Sequence, residues 1–528
     1  MKPLTSQEIR QKREHFWTSK AHAHLPEASL IADKESTALF NVAGMQPLIP
    51  YLAGKPHPLG KQLFNIQKCV RTVDIDEVGD NSHLTFFEMM GNWSLGAYFK
   101  KEAVQWSYEF LVEHLGFDPR KLAVTVFEGN EDAPRDEFTA QAWRDAGIPE
   151  ERISFLDADN NWWSPGPVGP CGSDTEIFYR VGESEFPPVW SNVKTDEDNW
   201  LEIWNNVFME FYRDEKGNLT KLAQHNVDTG MGLERMCKVM QNKVSVYETD
   251  LFTPMLNLLA ETTGLSYAEH QRRFRIVADH IRTAFMLIND GLTPSNVGAG
   301  YVLRMIIRRA YYNLYLLKKI DRGELERFIA DAFKAFEGLR DFDQQRISKV
   351  LLAEINQFEK TIANGAKILT ESIDKLHTEG KKVLEGSQIF MLYDTYGFPL
   401  EITKEIAQEK GIELDLPGYE KALAQAKEKS RQGSKEMFSK TTDWSKYLEG
   451  VGATEFVGYD RLDIENPVLI KDITTDDGVR FLVFDKTPFY PEMGGQVWDS
   501  GTIQLDSWEV VHIVNVQKVA GVILHFVG

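Results

Sequence analysis

The chain has 528 residues, of which 42% are hydrophobic and 26% charged, and a formal net charge of −20. That length exceeds one hydrophobic core and predicts about three domains, while the composition excludes a disordered chain. The acidic balance excludes a protein that coats nucleic acid through bulk charge, because phosphate neutralisation needs Lys and Arg.

The opening stretch, MKPLTSQEIRQKREHF, is charged and amphipathic rather than a signal peptide. No run of about 18 apolar residues could span a bilayer, so a cytoplasmic protein without membrane contact is expected. In chain order, Ser6 to Lys20 has helical spacing. FNIQKCVR (64–71) and LTFFEMMGNWSLG (84–96) read as two strands of a hairpin joined by an acidic loop. A helix at Glu102 to Leu115 and strands at Leu122 to Glu128 and Trp200 to Tyr212 follow, with SPGPVGPCG as a loop between them. From 246 to 450 the spacing is helical throughout, in RIVADHIRTAFMLI, YVLRMIIRRAYYNLYLL and 348–376. After Gly450, NPVLIKDI, VRFLVFD and VVHIVNV alternate with DDG, MGGQ and DSG turns, as in a small antiparallel β domain. The expected domains are therefore 1–245, mixed α and β; 246–450, helical; and 451–528, β.

Two segments carry candidate chemistry. VDTGMGLER (227–235) combines an acid, Asp228, with Gly230 and Gly232, which let a ligand approach backbone, and Arg235 one helical turn on. It reads either as a site for a ligand with a cationic and an anionic end or as an ordinary glycine turn. In the hairpin, Arg71 ends the first strand, where a planar guanidinium can clamp a phosphate or make a surface ion pair. Phe86 and Phe87 suit either purine stacking or a core. Cys69, Cys171 and Cys237 form no CxxC or CxxH spacing and read as reduced thiols, without a zinc site.

An arginine-bearing hairpin followed by a GxGxER segment resembles motifs 2 and 3 of the class II aminoacyl-tRNA synthetases. The strings FNVAGMQ, QKCVR, TFFEMMGNWSLGAYFK, GPCGSDTEIFY, LEIWNNVFMEF, VDTGMGLER, VADHIRT, PSNVGAGYVLR, IIRRA, LYDTYGFP and TPFYPEMGGQ are similar, in the same order, to those of the alanyl-tRNA synthetase family. The resemblance implies an α+β fold: an antiparallel class II sheet flanked by helices, an all-helical tRNA-recognition domain and a small β-barrel.

It also implies ATP-dependent activation of alanine and its transfer to the 3′ end of tRNA(Ala), with ATP and Mg²⁺ as cofactors. By resemblance, Arg71 holds the α-phosphate and Arg235 lies near the phosphates and adenine, these two being the catalytic residues. Trp163, Ile203, Trp204, Asn205 and Gly232 complete the nucleotide site, and Asn205 and Asp228 bind alanine, Asp228 through its ammonium group. Where family members read HHTFFEM, this chain has His83-Leu84-Thr85, so the nucleotide contact of the second histidine is either taken by His83 or absent.

Between Gln271 and Lys319 the charge inverts to a net +7. Arg304, Arg308 and Arg309 lie at helical spacing there, giving either a basic face for acceptor-stem phosphates or a solvated helix face. The resemblance assigns recognition of the acceptor stem of tRNA(Ala) to Asn296 and Asp394; the residues alone read as a helix cap and a turn residue. The family's editing zinc spacing, HxxxH with a later CxxxH, is not found, so hydrolysis of Ser-tRNA(Ala) is expected to be absent, and a monomer is favoured over an oligomer. Gly494-Gly495-Gln496 resembles the GGQ tip of release factors, but its β-rich context favours a turn. Two other readings stay open: a synthetase-derived RNA-binding protein without catalysis, and a ligase that adenylates another small acid without tRNA.

Overall fold

Thr5 opens the first helix, α1 (Ser6–Ser19), with a reciprocal cap: its hydroxyl accepts from Glu8 N at 3.2 Å, while a Glu8 carboxylate oxygen accepts from Thr5 N at 2.8 Å. The helix buries Ile9, Arg13, Phe16 and Trp17. The computed structural model describes residues 2–527 apart from 33–37, 74, 167, 183–185, 296–297, 339, 395–397, 426–446, 449, 459–466, 476–479, 492–497, 500, 506–509 and 520. The chain forms two compact units, Met1–Leu384 with Met391–Glu413, and Glu385–Phe390 with Leu414–Gly528.

The first unit is built on a sheet whose strands are β1 (Ala23–His24), β2 (Gln62–Val70), β3 (Phe86–Leu95), β4 (Leu122–Phe127), β5 (Ile153–Leu156), β6 (Trp162–Trp163), β7 (Gly169–Arg180), β8 (Trp200–Arg213) and β9 (Leu219–Gly232). Their order is β1-β2-β3-β9-β8-β7-β4-β5, with β6 on β7. Among the described residues of this sheet, only the outer pairs β1/β2 and β4/β5 are parallel. The expected hairpin is present, with Gln62 opposite Ser94 and Val70 opposite Phe86.

Strand periodicity assigns each residue a face. On the back, Trp204 meets Trp17 and Phe110 edge-on, and Asn206 donates to Ser107 Oγ at 2.9 Å, so α1 and the stretch around α2 (Lys100–Glu109) cover that side. On the front, Trp93, Leu95, Val207 and Met209 pack with Met45, Leu48 and Leu52. That short cover closes one end of the face and leaves the rest open.

SPGPVGPCG is not a loop throughout: from Gly169 it is strand β7. A register shift lies between Cys171 and Asp174, and a Cβ at Gly172 would sit 1.9 Å from Phe208 O. Glycine there marks a bulge with close backbone approach rather than a turn.

After β9 come helices α3 (Leu233–Met240), α4 (Thr253–Thr263), α5 (Gln271–Asn289), α6 (Gly298–Leu317), α7 (Arg322–Ala335), α8 (Gln344–Thr378), α9 (Gly386–Asp394) and α10 (Leu400–Glu409). Short extended pieces at Val383–Leu384 and Glu413–Leu414 interrupt the expected all-helical run. Among the described residues no helix is long and apolar enough to cross a membrane.

Helix α5 is buried from Phe274 to Ile288, charged residues included, so those charges need partners. Arg282, with no exposed surface, donates to Glu234 at 2.9 Å and Glu88 at 3.4 Å. Burial alone would raise Glu88, but Arg10, Arg340 and Arg282 together hold it below the ordinary carboxylate range. One buried carboxylate thus ties α1, β3 and α5 together.

The second unit carries a five-stranded antiparallel sheet: β10 (Leu469–Thr474), β11 (Arg480–Phe484), β12 (Gly501–Gln504), β13 (Val510–Val519) and β14 (Val522–Val527), in the order β10-β11-β14-β13-β12. Alternation on β11 sends Leu482 and Phe484 into one apolar cluster and Phe481 and Val483 into another. Gly494-Gly495-Gln496 lies outside the described residues.

Arg282→Met should destabilise the chain by about 3–5 kcal/mol, because it strands Glu234 in the interior and takes one of three guanidinium partners from Glu88. Urea unfolding measures this, and adding Glu234→Gln should recover part of the loss.

Candidate functional site

The open part of the front face is a cavity of about 450 Å³. Its floor follows from register: Trp93, Asp228, Val207 and Asp174 form one row across β3, β9, β8 and β7, and Gly91, Gly230, Asn205 and Glu176 the next. Beyond them Gly232 lies opposite Met89.

Asp228 is 7% exposed, and its Oδ1 accepts from Trp93 Nε1 at 2.7 Å. Burial pushes its carboxyl up to about 7, against the opposing pull of that hydrogen bond. The indole needs the space over Gly91, where a Cβ would lie 2.3 Å from the ring. Gly230 and Gly232 belong to the strand, and α3 starts directly after them. Their lack of side chains keeps the floor low beside Asp228.

Arg71 and Arg235 line the cavity from its two sides. Arg71 is exposed, donates from Nε to Val42 O at 3.1 Å and lies over the Phe87 ring at 4.9 Å. Arg235 is half exposed and pairs with Glu202 at 2.6 Å. Two cationic ends therefore face a buried acid across one space, which suits a ligand carrying phosphate at one end and an amine at the other.

A group of acids lies on the adjoining strands β7 and β8. Asn205 Nδ2 donates to Asp174 Oδ2 at 2.7 Å, leaving Asn205 Oδ1 and Asp174 Oδ1 buried and unpartnered. Burial, then the neighbouring charges of Glu202 and Asp174, pushes Glu176 up to about 9, with Arg235 opposing. Burial likewise raises Asp174 to about 7.

Of the nucleotide and alanine residues expected from sequence, Arg71, Trp163, Ile203, Asn205, Asp228, Gly232 and Arg235 all line this cavity. Trp204 does not: its indole is on the back of the strand, in the core against Trp17 and Phe110, so its side chain has no access to a nucleotide. His83 and Leu84 both reach the cavity wall, the His83 ring lying 2.6 Å from Asp80 and 3.3 Å from Glu77.

The basic segment is different in space from its appearance in sequence. Arg304 and Arg308 converge on Glu354 of α8 at 3.2 and 2.7 Å. Arg309 is buried, with its guanidinium on Ile75 O, His280 and Glu405, so it cannot track phosphates. Arg273 and Lys318 pair with Glu409 and Glu324. Most of these cations pair with carboxylates, Glu354 and Glu405 among them from distant parts of the chain, so Arg304, Arg308 and Arg309 do not present one exposed basic face. Asn296 lies outside the described residues, and Asp394 ends α9.

Sequence reasoning missed Trp93, Glu176 and Glu202. Alternation could have found Trp93, since Phe87, Met89 and Trp93 share one parity of β3. It could not have found Glu202, because a bulge in the β7/β8 pairing brings both Glu202 and Ile203 to the cavity.

A family profile described as "tRNA synthetases class II (A)" matches residues 8–528. The alanine-tRNA ligase of Borrelia hermsii is 44% identical over 441 residues, covering 82% of this chain and 74% of that one. That of Thermotoga petrophila is 41% identical over 550 residues, covering 99% and 61%, and that of Treponema denticola 44% over 451, covering 83% and 74%. The chain thus spans 61% to 74% of the length of these relatives. With a class II sheet, its arginine hairpin and its GxGxER strand matched from end to end, the chain belongs to the class II (A) tRNA synthetase family.

Proposed function

We propose that this chain is an alanine-tRNA ligase: it condenses alanine with ATP to alanyl-adenylate and passes the alanyl group to the 3′ end of tRNA(Ala). The observation that carries this reading is the row Trp93-Asp228-Val207, a buried acid walled by an indole and a branched side chain, opening towards two arginines. It suits a small amino acid lying with its ammonium on Asp228.

The chemistry is then one of placement. An alanine carboxylate oxygen bonds to the α-phosphorus as the bond to the β,γ-pyrophosphate breaks in line, and no enzyme nucleophile is required. Arg71 neutralises the α-phosphate, while Arg235 and the backbone at Gly232 hold the nucleotide. Trp163 and Ile203 bound its pocket and Asn205 reaches towards both substrates.

The oxygen donors Glu176 and Glu202 suit a hard divalent cation such as Mg²⁺, which when bound would offset phosphate charge. Acceptor-stem recognition is assigned to Asn296 and Asp394, and a cytoplasmic location fits the activity.

Alanine-dependent pyrophosphate exchange tests the first step. Arg71→Ala should lower kcat/KM by about 2 to 4 kcal/mol in transition-state terms, and an unchanged rate removes its role. No exchange with alanine, or better exchange with another small acid, rejects the activity itself.

The pH dependence has a definite sign. In the free chain Asp228 titrates at about 7, and only its ionised form attracts an ammonium. The KM for alanine should therefore rise about tenfold per unit as pH falls below this value and level off above it. Asp228→Asn should raise that KM and flatten the profile. Finally, Asn296→Ala should impair charging of tRNA(Ala) while exchange persists; equal loss of both points to a structural role.

A further inference from the structure

The connection from β2 to β3 carries Arg71, His83 and Leu84 to the cavity wall. Its grip comes from the helices behind it. Arg275 Nη1 donates to Asp80 O at 2.9 Å and Gly79 O at 3.3 Å, Arg309 Nη1 to Ile75 O at 2.8 Å, and the Tyr247 hydroxyl to His83 O at 2.7 Å.

The connection ends at Thr85, which is fully buried. Thr85 N donates to Asp279 Oδ1 at 2.9 Å, and its hydroxyl bonds Asp279 Oδ2. Thr85 O accepts from Arg71 N at 2.9 Å. Arg71 is thus two hydrogen bonds from Asp279.

Asp279 is held in turn. His280 Nδ1 lies 2.8 Å from Asp279 Oδ2, and Arg309 Nη1 lies 2.9 Å from His280 Nε2. A guanidinium can only donate, so the imidazole proton sits on Nδ1 and is given to the carboxylate. Glu405, 3.4 Å from Arg309 Nε, balances the guanidinium. Thr85, Asp279, His280, Arg309 and Glu405 are all buried, and none lines the cavity. Every polar side-chain atom of Thr85, Asp279 and His280 in this network is hydrogen-bonded, which fixes one geometry around Asp279.

We propose that Asp279 is a positioning residue for Arg71: it acts through Thr85, with His280 and Arg309 orienting its carboxylate. This role rests on Arg71 being the phosphate clamp of the proposed activity. A charge that must meet a transferring phosphorus tolerates little misplacement, and an error of about 1 Å costs on the order of 10²-fold in rate.

Pyrophosphate exchange by the full chain, compared for Asp279→Asn, Arg71→Ala and the double variant, tests the proposal. Asparagine keeps the volume but cannot accept from every donor that Asp279 serves. Asp279→Asn should lower kcat/KM for ATP by on the order of 10²-fold and leave the alanine KM unchanged. The double variant should be no worse than Arg71→Ala alone, because what Asp279 supplies is already lost.

If Asp279→Asn does not fold, Thr85→Val combined with Arg71→Ala carries the same comparison, and Thr85→Ser, which keeps the hydroxyl, should lose less than Thr85→Val. Losses that multiply in the double variants, or ATP and alanine KM values that change together, overturn the positioning role. Absence of exchange in the unaltered chain overturns the activity on which it rests.

Discussion

A slip of one residue in the pairing of β9 with its neighbours would turn Asp228 to the back of the sheet and bring Thr229 into the cavity. The present register is held from both sides. On the front, Trp93 bonds Asp228; on the back, the Thr229 hydroxyl donates to Asn92 Oδ1 at 2.6 Å, which also accepts from Arg13 at 3.3 Å. Every other feature of the site inherits this alignment. Gly91 makes room for the indole, Gly230 and Gly232 keep the floor low, and Val207 limits the space beside the acid.

The second requirement is charge compensation beneath the sheet. A cavity lined by Glu176, Glu202 and Asp228, with Asp174 buried in the same strand row, concentrates acids, and burial makes several of them costly to ionise. The basic residues of α5 and α6 answer other acids behind them, Glu88, Glu234, Glu354 and Glu405. Helices α5 and α6 are therefore part of what shapes the site, although none of their residues lines it.

Much of the site was legible because its chemistry is local in sequence. Arg71 follows a strand that reads as one, and Asp228 to Arg235 carry acid, glycines and arginine within a single segment. The illegible parts depend on pairing partners. Arg309 looks like its neighbours in IIRRA, yet Ile75 O and Glu405, far away in the chain, draw it inside. Trp204 shares a string with Asn205, but strand alternation sends the two side chains to opposite faces. Gly169 to Gly172 read as a loop because proline and glycine are usual there, whereas here they serve a bulge against Phe208.

The proposed activity depends on Asp228 meeting an ammonium group. The direct measurement is calorimetric binding of a non-hydrolysable alanyl-adenylate analogue and of the same analogue without its α-amino group, each to the unaltered chain and to Asp228→Asn. If the account is right, removing the amino group weakens binding to the unaltered chain on the order of 10²-fold and has little effect on the variant. Equal losses in both proteins would contradict it.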